Sequence, residues 1–317
     1  MTQYVLRRLV FMIPVAILVT MIVFSLLHLT PGDPVRIIAG EEPDPASMDA
    51  VRHELGLDQP LPVQYVAWIS RAVTGDFGRS IRTHQPVLEA IGERVPATLE
   101  LGLTAVALSV IVALVVGTLS AVRHNSALDL FATGLTLAGV SLPNFFLGLI
   151  LILVFGLVLG IAHPGGYVRF AEDPLDNLGR LVLPAITLAT ASIAVNMRQI
   201  RSSLLDVFGQ DYIRTARSKG LSETRVIARH ALKNGLIPAV TIIGLQVGAV
   251  IEGAFITETV FLWPGVGKLA IDSINGRDYP VVQAIVLLSA LSFMASTLLV
   301  DVLYAWLDPR ISYGSSS

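Results

Sequence analysis

Five polar residues stand inside long apolar runs and are the first candidates for chemistry. Glu252 lies about midway along the run 236–262, with Gln246 six residues before it and Glu258 nearer the far end. Asn196 sits in the run 181–203, and Asn144 follows Pro143 in "SLPNFFLG" within the run 130–161. A carboxylate or amide at membrane depth is costly and needs a partner or water. Two kinds of chemistry fit. These groups can meet an ammonium group, such as a peptide's amino terminus, or a cation passing through a polar path. They can equally bond to one another between helices. No catalytic pattern accompanies them: HExxH and GxSxG are missing, as is any convincing nucleophile–base pair. "GVGKL" (265–269) echoes a phosphate-binding loop, but it lacks the leading Gly at the required spacing and a Ser or Thr after Lys268. A tight turn is the expectation there. His28, His84, His124 and His163 show no ligand spacing, so no metal site is assigned.

The second candidate is "DYIRTARSKGLSETRVIARHALKNGLIP" (211–238), dense in Arg and Lys amid apolar sequence. Helix formers run from Asp211 to Lys219. Gly220 can take the left-handed conformation that stops a helix. Ser222 is a plausible N-cap for a second helix, with Glu223 in its first turn. Pro238 falls where the next apolar run begins, a position that tolerates its missing amide. The expectation is helix, Gly turn, helix, too polar to enter lipid. Three readings are open: a solvated loop whose charges set topology, a basic helix held to anionic lipid, or a docking element for another protein.

These residues are set in a chain of 317 residues, 53% apolar and only 15% charged, with mean hydropathy +0.70. Soluble chains carry roughly 25% charged residues. The net charge of −2 offers no sign of a nucleic-acid partner. Without cysteine, disulfides, thiol catalysis and iron–sulfur ligation are excluded. Six runs, near 9–29, 99–122, 130–161, 181–203, 236–262 and 280–306, are long and apolar enough to span a bilayer. In lipid such runs must be helical, because each backbone amide needs an internal partner. The expected fold class is therefore an all-α membrane protein of six transmembrane helices. The first run, after Arg7 and Arg8, is too long for a signal-peptide core and ends in "TPGDP" without a small-residue cleavage site.

Positive charge sets the orientation. Arg7, Arg8, Arg123, Arg310 and the cluster from Arg198 to Lys233 all fall on one side if the spans alternate, and that side is cytoplasmic by the positive-inside rule. Both termini are then cytoplasmic. The outer segment 30–93 is expected to hold short helices: one over 47–55, one opened by Pro62 with Val63, Val66, Ile69 and Val73 at helical spacing, and one opened by Pro86. These pack as a cap, lie on the membrane or meet an outside partner. No repeat relates the two halves.

The order Ala216, Gly220, His230, Leu232, Pro238 resembles the cytoplasmic loop of ABC-importer permeases, whose E-A-A-x-x-x-G element inserts into a groove on the ATPase. Aligned on Gly220, the Glu position holds Arg214 and the first Ala position holds Thr215, so a role that depends on that Glu is not carried over. The variant "YIRTARSKGLS" with "RHALKNGLIP" is similar to the subfamily that imports dipeptides, oligopeptides, nickel or glutathione. "TPGDP" (30–34), "LGLDQPLPVQY" (55–65), "GDFGRSI" (75–81), "RVPATLELG" (94–102), "GLQVGAVIEGAFITETVFLWPGVGKL" (244–269), "RDYPVVQA" (277–284) and "DVLYAWLDPRI" (301–311) extend the likeness over nearly the whole chain.

The resemblance implies the type I ABC importer (MetI-like) permease fold. It divides the chain into an N-terminal transmembrane helix (1–29), an extracytoplasmic loop (30–93), a permease core (94–307) with the coupling loop 204–235, and a cytoplasmic tail (308–317). It implies an ATPase-coupling role for Arg214, Thr215, Ala216, Lys219, Gly220, Leu221, Ser222, His230 and Pro238. Asn144, Asn196, Gln246, Glu252 and Glu258 become candidates for the translocation path. The implied partners are a second homologous permease, two ABC ATPase subunits that bind ATP and Mg2+, an extracytoplasmic substrate-binding protein and the bilayer of a bacterial inner membrane. This chain itself holds no cofactor and no ATPase site in that scheme. Peptides are the first-choice substrate, with nickel complexes, glutathione or sugars as alternatives. A self-sufficient ion-coupled transporter is the competing class.

Overall fold

The computed structural model describes residues 2–29, 48, 53, 58–248, 250 and 254–307. The expected helix over 47–55 and the tail 308–317 lie largely outside them. The described chain is built of helices joined by loops, with one isolated β-bridge between Arg79 and Pro86. Helix α1 (Thr2–Leu29) is followed by α2 (Leu61–Val73) and α3 (Val87–Gly92). Pro60 precedes α2 and Pro86 precedes α3, each in extended backbone that starts a helix at a preset φ. In α3, Val87, Ala90 and Ile91 are buried, whereas Leu88 points outward instead of joining them.

Among the described residues, three helices are long and apolar enough to cross a membrane singly. α4 (Val95–Val122) runs straight after α3, α7 (Pro174–Phe208) has 35 residues, and α13 (Tyr279–Leu307) closes the described chain. α7 extends past both ends of its expected span. Asp173 caps its start by accepting from the amides of Leu175 and Asp176 at 3.0 and 3.1 Å, and its last turns project into the Arg-rich side. A further apolar stretch, Val10–Ser25, lies within α1.

One expected span is broken, and a second bend lies where another expected span begins. α5 (Ala127–Ser141) and α6 (Asn144–Val158) meet at 106°. Leu142 and Pro143 between them are both extended (ψ 126° and 133°). Proline excludes the helical conformation from the residue before it, so two successive residues leave the helix and the chain turns sharply. The expected kink at Pro143 is thus a bend beyond a right angle. The fifth run forms α10 (Ile237–Gly248), then α11 (Phe255–Val260). α10 meets α9 (Glu223–Gly235) at 55°. Counting each bent pair as one span gives up to five among the described residues, by length and composition.

Three apolar clusters hold this arrangement. At the Arg-rich end, Met197, Ile200 and Leu204 of α7 pack with Ala113 of α4 and with Ile213, Val226 and Ala231. At the opposite end, Val87 and Ile91 of α3 meet Val266 and Ala270 of α12 (Val266–Asn275) and Ile285 of α13. Between α4 and α7, Leu101, Leu181 and Ala185 surround the fully buried Trp263, whose indole N–H donates to the Ala97 carbonyl at 2.8 Å. Gly244 and Gly248 of α10 face Val300 and Ser296 of α13, so small residues let these helices approach closely. Outward-facing Ile111, Val115, Leu153, Leu157 and Leu299 supply surface suited to lipid.

Candidate functional site

The basic stretch folds as helix, turn, helix. α8 (Asp211–Ser218) is polar except for Ile213 and Ala216, which are three residues apart and buried against the end of α7. Burial of an Ile side chain stabilises by about 1.5–3 kcal/mol, which fixes α8 to the membrane core although its other face is charged. Gly220 then adopts φ +77°. Its amide donates to the Arg217 carbonyl at 2.9 Å, and the Leu221 amide donates to the Ala216 carbonyl at 3.4 Å. This pair of bonds is the Schellman stop, in which a left-handed residue satisfies the last carbonyls of a helix. Arg217 clips the two helices together: Nε and Nη2 donate to Glu223 Oε1 and Oε2 at 2.8 and 3.2 Å. Its guanidinium also lies 5.9 Å from the Phe208 ring centre.

α9 follows, held by buried Val226 and Ala231 and containing π-helical turns over Val226–Ala231. Ser222 occupies the capping position in extended backbone but makes no side-chain cap bond. The result is a small knob anchored from beneath. Arg214, Thr215, Lys219, Gly220 and Ser222 are exposed on it, Leu221 is half-buried and Ala216 lies underneath. Arg214 pairs with Asp211 at 3.5 Å. His230 is half-buried on a later turn, where its carbonyl accepts from Asn234, which also donates to Tyr212 Oη at 3.2 Å. Pro238 is exposed in the first turn of α10. A Cβ on Gly220 would meet no atom within 4 Å, so the chain itself leaves this point of the knob open.

The membrane-depth candidates separate into different places. Asn196 and Gln246 come together. Asn196 Nδ2 donates to Gln246 Oε1 at 3.0 Å, and Gln246 Nε2 returns a bond to Asn196 Oδ1 at 3.1 Å. Asn196 Nδ2 also donates to Ser109 Oγ at 3.2 Å, so the pair ties α7, α10 and α4 near the middle of α4. Intramembrane hydrogen bonds average about 0.6 kcal/mol and reach about 1.7. A double-mutant cycle of Asn196→Ala and Gln246→Ala, read by unfolding in mixed micelles, should therefore give a coupling inside that range. Asn144 is half-buried at the start of α6, just past the bend. Glu252 and Gly253 lie outside the described residues.

Glu258, in α11, is fully buried at the end away from the Arg-rich side. It accepts from Thr98 Oγ1 and from the Lys268 amide, each at 2.8 Å, and Thr98 Oγ1 in turn accepts from the Val266 amide at 2.8 Å. The glycines of "GVGKL" are explained here. Side chains at Gly265 or Gly267 would run into the Glu258 carboxylate, and a Cβ on Gly267 would also stand 2.7 Å from the Phe255 Cα. Instead of the expected tight turn, the stretch is the close-packed start of α12, and its Lys268 amide donates to the buried acid. Gly267→Ala should cost about 1–3 kcal/mol by overpacking. A thermal midpoint unchanged from the parent chain would contradict this packing.

One cluster was not foreseen. Arg201, counted from the sequence as a topology charge, grips Asp129 with Nε at 2.6 Å and Nη2 at 2.8 Å. Asp129 is 2% exposed and also accepts from Ser120 Oγ and the Asn125 amide. The His124 Nδ1 lies 3.1 Å from Arg201 Nη2 and 3.2 Å from Asp129 Oδ2. The network bolts the turn between α4 and α5 to the end of α7, one cluster away from the knob. Its local half was present in the sequence: Ser126 and Asp129 form an S-x-x-D start signal ahead of an apolar run, and the Asp129 amide donates to Ser126 Oγ at 3.3 Å.

Comparison with known proteins places this architecture. Residues 113–313 match the family model described as binding-protein-dependent transport system inner membrane component, and residues 1–102 match its N-terminal companion. The glutathione transport system permease protein GsiC of Escherichia coli K12 is 44% identical over 313 residues, covering 99% of this chain and all of that one. GsiC of Salmonella typhimurium LT2 matches at the same identity and coverage. A solved amino acid ABC transporter with histidines covers 70% of this chain and 94% of its own, at TM-score 0.48 and 18% identity. The ion-coupled alternative gives way to the family-model and GsiC matches, which span both ends of the sequence. The chain belongs to the binding-protein-dependent transport system inner membrane component family: it is a multi-pass inner-membrane permease of an ABC importer, and not itself an ATPase.

Proposed function

We propose that this permease forms half of the pathway of an importer for small peptides, glutathione among them. A second homologous permease forms the other half, and two ATPase subunits supply ATP and Mg2+ chemistry from the cytoplasm. An extracytoplasmic binding protein delivers substrate. The chain has six spans in this reading, with both termini cytoplasmic. The observation that carries the substrate class is the 44% identity, over 99% of the chain, to permeases named for glutathione transport. Nickel complexes and sugars are the alternatives it weighs against.

The knob of α8 and α9 is the proposed ATPase contact. Arg214, Thr215, Lys219, Gly220 and Ser222 offer an exposed surface on a rigid base, which suits insertion into a groove. Ala216, Leu221, His230 and Pro238 shape and hold it. Among the polar residues at depth, Asn144 and Glu252 are proposed to face the path. Asn196, Gln246 and Glu258 have their polar atoms engaged within the chain, and their part is to set the positions of the helices that line it.

The test is uptake by cells that lack only this gene, compared with complemented cells. Labelled glutathione and a labelled dipeptide are offered separately, alongside nickel. Loss of glutathione or dipeptide uptake with nickel uptake intact is expected. Unchanged peptide uptake with loss of nickel uptake would overturn the substrate class while leaving the permease assignment standing.

A further inference from the structure

α2 packs against α1. Its Tyr65 Oη is 2.8 Å from Thr20 Oγ1 of α1. The Phe24 ring of α1 meets Tyr65 edge-on at 5.5 Å and Trp68 at 6.1 Å. Thr20 lies inside the apolar run 9–29, nine residues before its outer end at Leu29, where α1 also ends. At 1.5 Å per residue, an upright α1 puts Thr20 about 13.5 Å and Phe24 about 7.5 Å below that end. Helices that lie in a membrane interface bury their apolar side by about 5–10 Å, so the depth of this contact is that of an immersed helix.

The sides of α2 agree with this depth. At 100° per residue, Tyr65 and Trp68 share the side turned to α1. Pro62, Val66, Ile69 and Val73 follow on the adjacent side, where Val66 is 61% exposed and Val73 80%. Arg71 lies on the side away from them. α1 beside it exposes Ile17, Leu18, Met21 and Ile22, so the apolar face of α2 continues a lipid-facing surface. Tyr65 and Trp68 are the residue types that concentrate where hydrocarbon meets headgroups.

We propose that α2 is embedded in the outer leaflet, with Val66 and Val73 against acyl chains and Arg71 turned toward the phosphate level. The outer segment would then be tethered to lipid at one end and packed on α12 and α13 through α3 at the other. The occupant of the apolar face is lipid, because that face is continuous with α1 and lies at its depth.

The chain contains no cysteine, so a single one can carry a nitroxide. Val66→Cys, Val73→Cys and Arg71→Cys are made in the full-length chain, purified with the proteins that accompany it and placed in lipid nanodiscs. All three sites are exposed, so the substitutions leave the packing against α1 intact. Power saturation then compares oxygen, which concentrates in hydrocarbon, with a water-soluble nickel chelate. Greater oxygen access at 66 and 73, reversed at 71, is expected. Greater chelate access at 66 and 73 would put the helix in water and overturn the proposal. Poor access to both reagents with an immobilised spectrum would mean that a protein covers the face, which also overturns it.

Discussion

Arg201→Ala is expected to lower the stability of this permease by about 3–5 kcal/mol, the range for stripping one member from a buried ion pair. Asp129 would be left as a carboxylate with only 2% exposure and without its arginine counter-charge. Ser120 and the Asn125 amide would still donate to it, but neither neutralises it. The change also cuts the link between the turn after α4 and the end of α7, which supports Ile213 and Ala216 of the knob through the same apolar cluster. The readout is the thermal midpoint of the detergent-purified chain, followed by size-exclusion. Asp129→Asn combined with Arg201→Ala should recover much of the loss, because the uncompensated charge is then gone. Equal losses in the single and double variants would mean that the shape of the site, not its charge balance, sets the cost.

Gly220→Asp is expected to abolish transport while the protein still folds and inserts. Two observations separate these effects. The conformation at Gly220 is left-handed, which Asp tolerates better than most residues, so the backbone cost is about 1 kcal/mol. A Cβ there meets no atom of this chain within 4 Å. No described atom of the subunit crowds a Cβ there, so a loss of function with folding intact arises where another protein meets the knob. Membrane abundance and thermal midpoint near those of the parent, together with uptake at background, is the expected pair of results. Gly220→Ala serves as a graded control, because it adds one methyl group in the same open space. Normal uptake by Gly220→Asp would remove the knob from the coupling pathway.

The elements that could be read from sequence are those fixed by local rules. The lipid-embedded helices follow from the need to satisfy every amide, and the start of α2 and α3 from prolines at preset φ. The helix–Gly–helix form of 211–235 was legible because the Schellman stop needs a left-handed residue at one position and Gly220 occupies it. What was not legible depends on distant partners. Pro143 announces a break, but the 106° angle comes from how α6 packs on α7 and α11. Glu258 reads as an expensive acid in an apolar run, and its explanation lies in Thr98, 160 residues earlier. Arg201 is one of several basic residues along 198–233, and only the fold reveals that it belongs with Asp129, 72 residues before it. Asn196 and Gln246 could be nominated separately, since each is costly alone, but their pairing required the approach of α7 and α10.

The most direct test of the assignment is to purify the chain from its native membrane in mild detergent and identify every protein that co-elutes by mass spectrometry. The account predicts ATPase subunits together with a second, homologous permease. A chain that elutes alone, from a preparation shown to keep other membrane complexes intact, would contradict it.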